Sequence, residues 1–184
     1  QLGHENFRVR VNAQQMLDRI GLPAYEQLRG ALDHSNIQIA RSAEYLLRSQ
    51  NVTWWLESDS HEVRTRLQDY SSLDLNNRQT RLLELANLAS DDAMLALTRI
   101  AKFENSELCS RAAALELLKK LTSIESPRRE KLAQSILLTL GTANRPATQW
   151  LETYSKQAIG TVAFDLTVWT DYADRLGADL KNTS

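Results

Sequence analysis

At 184 residues, with 42% apolar and 24% charged residues, the chain has the composition of an ordinary globular protein and the length of one domain or one block of repeats. Six Gly and three Pro are too few for an all-β chain with many tight turns, and the abundance of Leu, Ala, Arg, Glu and Gln favours helix. A net charge of −1, mixed in sign along the chain, argues against nucleic acid as a partner, since phosphate contacts call for a basic face.

No apolar run approaches the ~20 residues of a membrane helix, so no transmembrane segment is predicted. The single cysteine, Cys109, cannot form an internal disulfide and reads as a small buried hydrophobe. No signal-peptide pattern is present. The chain opens at Gln1 and its first helix starts almost at once, which reads as a piece of a longer polypeptide or a mature chain with its leader removed. Nothing in the sequence fixes a compartment.

In chain order, the spacing predicts a first helix over 5–20, with Gly21 as a left-handed stop. A second, with Pro23 in its first turn, covers about 23–32. Ser35 and Gln38 have capping-box spacing for a third over 36–49. A stunted helix is expected around Val52–Glu57, then one from Ser60, and two more over 77–89 and 91–103. Another follows around Leu108. Ser126-Pro127 opens a helix ending at Gly141, and Asn144-Arg145-Pro146 opens one to about Gln157. A last helix after Gly160, with Phe164, Val168, Trp169 and Tyr172, suits an end-cap, and Lys181–Ser184 reads as a polar tail. About eleven helices are predicted.

One pattern recurs along these helices. It reads Val9, Ala13, Met16; Ile39, Ala43, Leu46; Val63, Leu67, Tyr70; and Leu108, Ala112, Leu115. Offsets of four and seven fall on one helical face, so each copy predicts a buried stripe. Recurrence of such units points to stacking rather than one closed core. The intervals of 30, 24 and 45 residues (39 − 9, 63 − 39, 108 − 63) make the array irregular.

With Val9-Arg10, Ala13 and Leu17, and Ile39, Ala43 and Leu47 (the latter with Ala40 in the Arg position), the first two units resemble HEAT repeats of the armadillo-like class. Val63-Arg64 matches at its start and then departs, with Leu67 in place of Ala. Leu108 with Ala112 keeps the apolar frame, with Cys109 in place of Arg. The resemblance covers residues 1–121, with 122–184 as a C-terminal helical extension packed on the same stack. It implies an all-α, irregular right-handed α-solenoid of antiparallel helix pairs. It also implies a non-catalytic scaffold that binds a protein or peptide partner without a cofactor, since fold by itself carries no chemistry.

Other members of this class raise enzyme alternatives. The deoxyhypusine hydroxylases hold iron with His-Glu pairs on successive helices, as that metal requires convergent imidazole and carboxylate. Here only His4-Glu5 and His61-Glu62 occur, out of register with each other, and Glu62 reads as a first-turn acid favoured by the helix dipole. HEAT-like DNA glycosylases use aromatic and carboxylate groups in a basic cleft. Trp54, Trp55, Glu57 and Asp59 imitate that set, but the basic field is missing. A structural spacer with no ligand is the third reading.

The residues expected to touch a partner are Trp54 and Trp55, where one ring of a helical pair would face outward. Arg10, Arg41 and Arg64 join them, on the second helices that line the concave side of such stacks. The same arginines also suit a ladder of ion pairs from repeat to repeat. Lys119, Lys120, Arg128, Arg129 and Lys131, interleaved with Glu116, Glu125 and Glu130, read as a solvated turn. No nucleophile–base pairing or phosphate loop is recognisable.

Overall fold

Short polar side chains set where the helices begin. The hydroxyls of Ser60, Ser90 and Ser106 accept the N–H of Val63, Ala93 and Cys109, and the Asp74 carboxylate accepts that of Asn77. Each such cap contributes about 1 kcal/mol by satisfying an orphan donor. Asn6 and Asn36 act alike: their Oδ1 atoms accept the N–H of Arg8 and Gln38, while their own N–H groups donate to Nδ1 of His4 and His34.

The computed structural model describes residues 2–20, 22–49 and 53–182. Among them it is all-helical, with ten α-helices and no strand. They are α1 (Phe7–Ile20), α2 (Leu22–Gly30), α3 (Ile37–Ser49), α4 (His61–Leu67), α5 (Leu75–Leu88), α6 (Asp91–Phe103), α7 (Glu107–Thr122), α8 (Ser126–Leu140), α9 (Pro146–Ala158) and α10 (Leu166–Asn182). A 3-10 turn, Tyr70–Ser72, follows α4.

Counting three, seven and ten residues from each cap reaches the buried stripe. Val63, Leu67 and Tyr70 follow Ser60, and Ala93, Leu97 and Ile100 follow Ser90; all six are buried. After Asn36 come Ile39, Ala43 and Leu46, of which Ala43 and Leu46 are buried. After Asn6 only Ala13 is buried, and Met16 is 59% exposed. Within each of these two pairs the caps lie 30 residues apart (36 − 6 and 90 − 60).

The helices touch in a regular order. α4 packs on α5, α6 on α7, and α8 on α9. Across these pairs, α4, α6 and α8 touch in succession, and so do α5, α7 and α9. α6 lies at the centre, with Leu97, Ile100 and Ala101 fully enclosed and ten of its thirteen residues buried, the polar Thr98, Arg99 and Lys102 included. A main core joins Val63, Leu85, Leu97, Leu117, Ile136 and Leu151, so α8 and α9 share it with the helices before them. A second cluster gathers Leu2, Ala13, Ala24, Leu28, Ala43 and Leu46 around α1–α3.

Several expectations need correction. Residues 53–57 form no helix; Asp59 Oδ2 accepts the Leu56 N–H at 2.7 Å and holds the segment in a turn. Val52 and the Gly21 stop lie outside the described residues. The helix count is therefore ten among the described residues, not eleven. Asn36, not Ser35, caps α3. α10 runs through Lys181 to Asn182, so helix takes in half of the predicted polar tail. The fourth stripe is out by one position: Leu108 is 53% exposed, whereas Cys109, Ala113, Leu117 and Leu121 form the buried face of α7.

Candidate functional site

The five residues expected to touch a partner take separate local tasks. Trp54 is 5% exposed, packs edge-to-face on Tyr70 at 5.2 Å and donates its indole N–H to Ser71 Oγ at 3.0 Å. Trp55 is half-buried against the same core. Arg10 reaches back to the carbonyls of His4 and Glu5, at 2.7 and 2.8 Å, and lies over the Phe7 ring. Arg41 is exposed beside Arg29, Glu44 and Asn105, at an opening between α2 and α3. Arg64 is half-buried on α4, and its Nε has no hydrogen-bond partner among the described residues.

A ladder of ion pairs does link successive helices, but other arginines build it. Arg99 on α6 pairs with Asp59, and Arg128 on α8 pairs with Asp91 at 2.7 Å while also binding the Ala89 carbonyl. Arg78 on α5 pairs with Glu104 at 3.0 Å, binds the carbonyls of Ser71 and Leu73, and covers the Tyr70 ring. Burial, helped by the nearby Glu104 carboxylate, pushes the Tyr70 phenol well up. Asp92 accepts the Ser60 N–H at 2.8 Å. Arg10 cannot join this ladder because its guanidinium is committed to its own helix start.

Two concave surfaces stand out. The first is an apolar groove of about 590 Å³ between α7, α9 and α10, walled by Leu115, Leu118, Tyr154, Trp169 and Phe164, with Lys119 and Arg129 at its edge. Trp169 fixes one wall: it meets Tyr154 edge-on at 6.4 Å and donates to Gln157 Oε1. Phe164 is 71% exposed. Burial pushes the Tyr154 phenol up, and Arg129 opposes the shift.

The second is a polar pocket of about 460 Å³ where α2, α6 and the turn before α9 meet. Arg29, Lys102 and Arg145 line it beside Tyr25, Phe103, Thr142 and Asn144. Tyr25 meets Phe103 edge-on at 5.6 Å and bonds Asn105 through its hydroxyl. Lys102 Nζ donates to the Thr139 carbonyl at 3.0 Å and sits over the Phe103 ring; Arg145 Nη1 donates to the Lys102 carbonyl at 3.0 Å. Burial, and after it the charge of Arg29, hold the Arg145 guanidinium below its ordinary value.

Neither surface was visible as a site in the sequence. The groove draws on helices that each look like plain core. The pocket left one signal: Arg145 precedes Pro146 at a helix start, where a cation opposes the dipole and Ser or Asp is the usual residue. Among the described residues, no group of three or more His, Cys, Asp or Glu converges as a metal site would require. Compared with known proteins, the chain matches no family model, no curated protein and no solved structure.

Proposed function

We propose that this chain is a non-catalytic protein-binding module, built as an irregular right-handed α-solenoid of HEAT-like antiparallel helix pairs. The succession of α4, α6, α8 on one side and α5, α7, α9 on the other supports a two-layer stack. The cap-phased stripes that recur 30 residues apart support repeat units within it.

The observation that carries the binding role is the groove between α7, α9 and α10. Its floor is apolar and aromatic, and its edge carries Lys119 and Arg129. That combination fits one occupant: an amphipathic helical peptide whose apolar face meets Leu115, Leu118 and Trp169, and whose acidic flank meets the two cations. Lys119 is held by Glu116 in the free protein, and a partner carboxylate would compete for it.

Selection from a displayed library of helical peptides tests this, with counter-selection against Leu115→Asp. Leu115 is 39% exposed on the groove wall, so the substitution leaves the core intact. The expected winners carry apolar residues at i, i+3 or i+4, and i+7 with Asp or Glu alongside, and lose about tenfold or more in affinity for Leu115→Asp. No enrichment, or winners that bind the variant equally well, would remove the groove from consideration.

A further inference from the structure

α7 carries two apolar stripes, and only one of them is buried. Cys109, Ala113, Leu117 and Leu121 enter the core, whereas Leu108 and Leu115 stand exposed with half-buried Ala112 between them. Offsets of four and seven place these last three along one outward side of the helix. α5 repeats the arrangement: Leu82, Leu85 and Ala86 are buried, and Leu75 and Leu83 are exposed.

The two helices run parallel. Near their starts Arg78 of α5 pairs with Glu104, whose carboxylate also accepts the Ser106 N–H at the cap of α7; near their ends Lys120 Nζ donates to Asn87 Oδ1. Asn87 and Lys120 are 33 residues apart in sequence, and so are Leu75 and Leu108 (120 − 87 and 108 − 75), which sets those two leucines level. By the same register Leu83 falls beside Ala112 and Leu115. Clustered apolar exposure of this kind marks an interaction surface, where leucines scattered singly would not. The small Ala112 leaves a hollow between the leucines, a shape that receives the ridge of another helix.

We infer that this leucine face extends the groove into one long docking site, and that its occupant is a single amphipathic helix running antiparallel to α7. Leu115 belongs to both surfaces, so the two are continuous. From Leu108 to Thr122 the site covers 14 residues of α7 (122 − 108), about 21 Å, which takes a partner helix of about four turns. Charge at the two ends sets the direction. Lys119 and Lys120 stand at the C-terminal end with Arg129 beside them, Glu116 pairing with Lys119; at the other end lie Asp74, the cap of α5, and Glu107, which pairs with Arg111. Helices favour acids in the first turn and bases in the last. Such a helix brings its acidic turn to Lys119, Lys120 and Arg129, and its basic turn to Asp74 and Glu107, only when it runs opposite to α7. The partner is the peptide assigned to the groove, so the longer site rests on that reading.

Two synthetic peptides of about four helical turns test this by fluorescence anisotropy with the whole chain. Both carry leucines at i, i+4, i+7 and i+11; one has Glu in its first turn and Lys in its last, the other the reverse. The acid-first peptide is expected to bind about tenfold tighter, a comparison made on the parent chain alone. It is also expected to lose about tenfold or more with Leu83→Asp or Leu108→Asp, as with Leu115→Asp. Both leucines are exposed, and thermal melts establish that the variants fold. A benzophenone at the peptide's N-terminus is expected to cross-link near Lys119. Loss with Leu115→Asp alone would keep the groove and overturn the longer site. Equal affinity of the two peptides, or cross-linking at Leu108, would overturn the antiparallel direction, and binding by neither would remove groove and extension together. Sedimentation of the free chain as a dimer that Leu108→Asp dissociates would assign the face to a second copy and overturn the proposal.

Discussion

Arg99 and Asp59, 40 residues apart, form an ion pair whose side chains are only 8% and 4% exposed. Asp59 also accepts the Leu56 N–H, so one carboxylate shapes the turn that carries Trp54 and Trp55 and ties it to the central helix. Burial disfavours the Arg99 charge, and the Asp59 carboxylate is what opposes that effect.

Asp59→Ala should therefore destabilise the protein by about 3–5 kcal/mol, because it leaves a buried guanidinium without its counter-charge. Adding Arg99→Met should recover much of that loss, since an apolar side chain of similar length needs no partner. Urea denaturation of the two single variants and the double variant measures this. Additive losses would mean that the pair is not coupled as its geometry implies.

Asp92 links the N-terminus of α6 to that of α4. Burial pushes its carboxyl up, but the hydroxyls of Ser60 and Ser90 and the N–H groups of Ser60 and Ala93 outweigh this and hold it at about 2, against an ordinary 3.8. A carboxyl depressed on folding stabilises fully above its unfolded value and loses that contribution as pH falls through its folded value. Stability should thus drop between about pH 4 and pH 2 by about 1 kcal/mol from this group, after allowance for solvent screening of a partly exposed side chain. Asp92→Asn should flatten that part of the pH profile. A profile identical to that of the parent chain would show that other carboxyls dominate.

The helices were legible because period and punctuation agreed. Pro127, Gly141 and Pro146 bracket α8 and α9 where the sequence places them. The stripe of α7 was misread because Leu108, Ala112, Ala113, Ala114, Leu115, Leu117 and Leu118 leave helical period undecided. The Ser106 cap chooses the face, and counting from it reaches Cys109 and Ala113. Counting from caps also finds Ala93, Leu97 and Ile100, a further buried copy that opens on Ala where the other four open on Val, Ile or Leu. Trp54-Trp55 looked helical only because the run is apolar; the carboxylate that bends it lies beyond that run, at Asp59. The two concave surfaces combine residues distant in sequence, which no local pattern reveals.

Ala43 is fully enclosed in the cluster formed by α1, α2 and α3. Ala43→Glu should cost about 4 kcal/mol or more, by forcing an unpaired carboxylate between helices. Most of the main core lies outside this cluster, so the damage should be regional. Hydrogen exchange should show protection lost in α1–α3 and retained in α6–α9. Retained protection in α1–α3 would refute the register assigned to α3.

Two positive-φ positions make opposite predictions. Gly141 ends α8 at φ 57° and ψ −125°, a conformation closed to residues with a Cβ, although an added Cβ would meet nothing nearer than Lys102 Nζ at 3.7 Å. Gly141→Ala should therefore cost about 1–3 kcal/mol through backbone strain alone. Ala89 ends α5 at φ 51° and ψ 20°, the left-handed helical region, where a non-glycine residue is itself strained. Ala89→Gly should gain up to about 1 kcal/mol, net of the extra freedom glycine brings to the unfolded chain. Thermal melts of both variants compare the two signs directly, and a stabilised Gly141→Ala would contradict the geometry.

Cys109 lies on the buried face of α7 with no exposed surface, and burial pushes its thiol up despite the opposing Ser106 hydroxyl. Thiolate is the reactive form, so both access and ionisation protect it. Labelling by a disulfide reagent at neutral pH should run at least about a thousandfold slower in the native protein than in urea, because it requires opening of the central stack. The same labelling tests the packing of α7: Leu117→Ala, which cuts into the shared core beside it, should cost about 2–5 kcal/mol and speed the reaction in step with the lost stability. Native labelling at the unfolded rate would place Cys109 on the surface of α7 and restore the face that starts at Leu108.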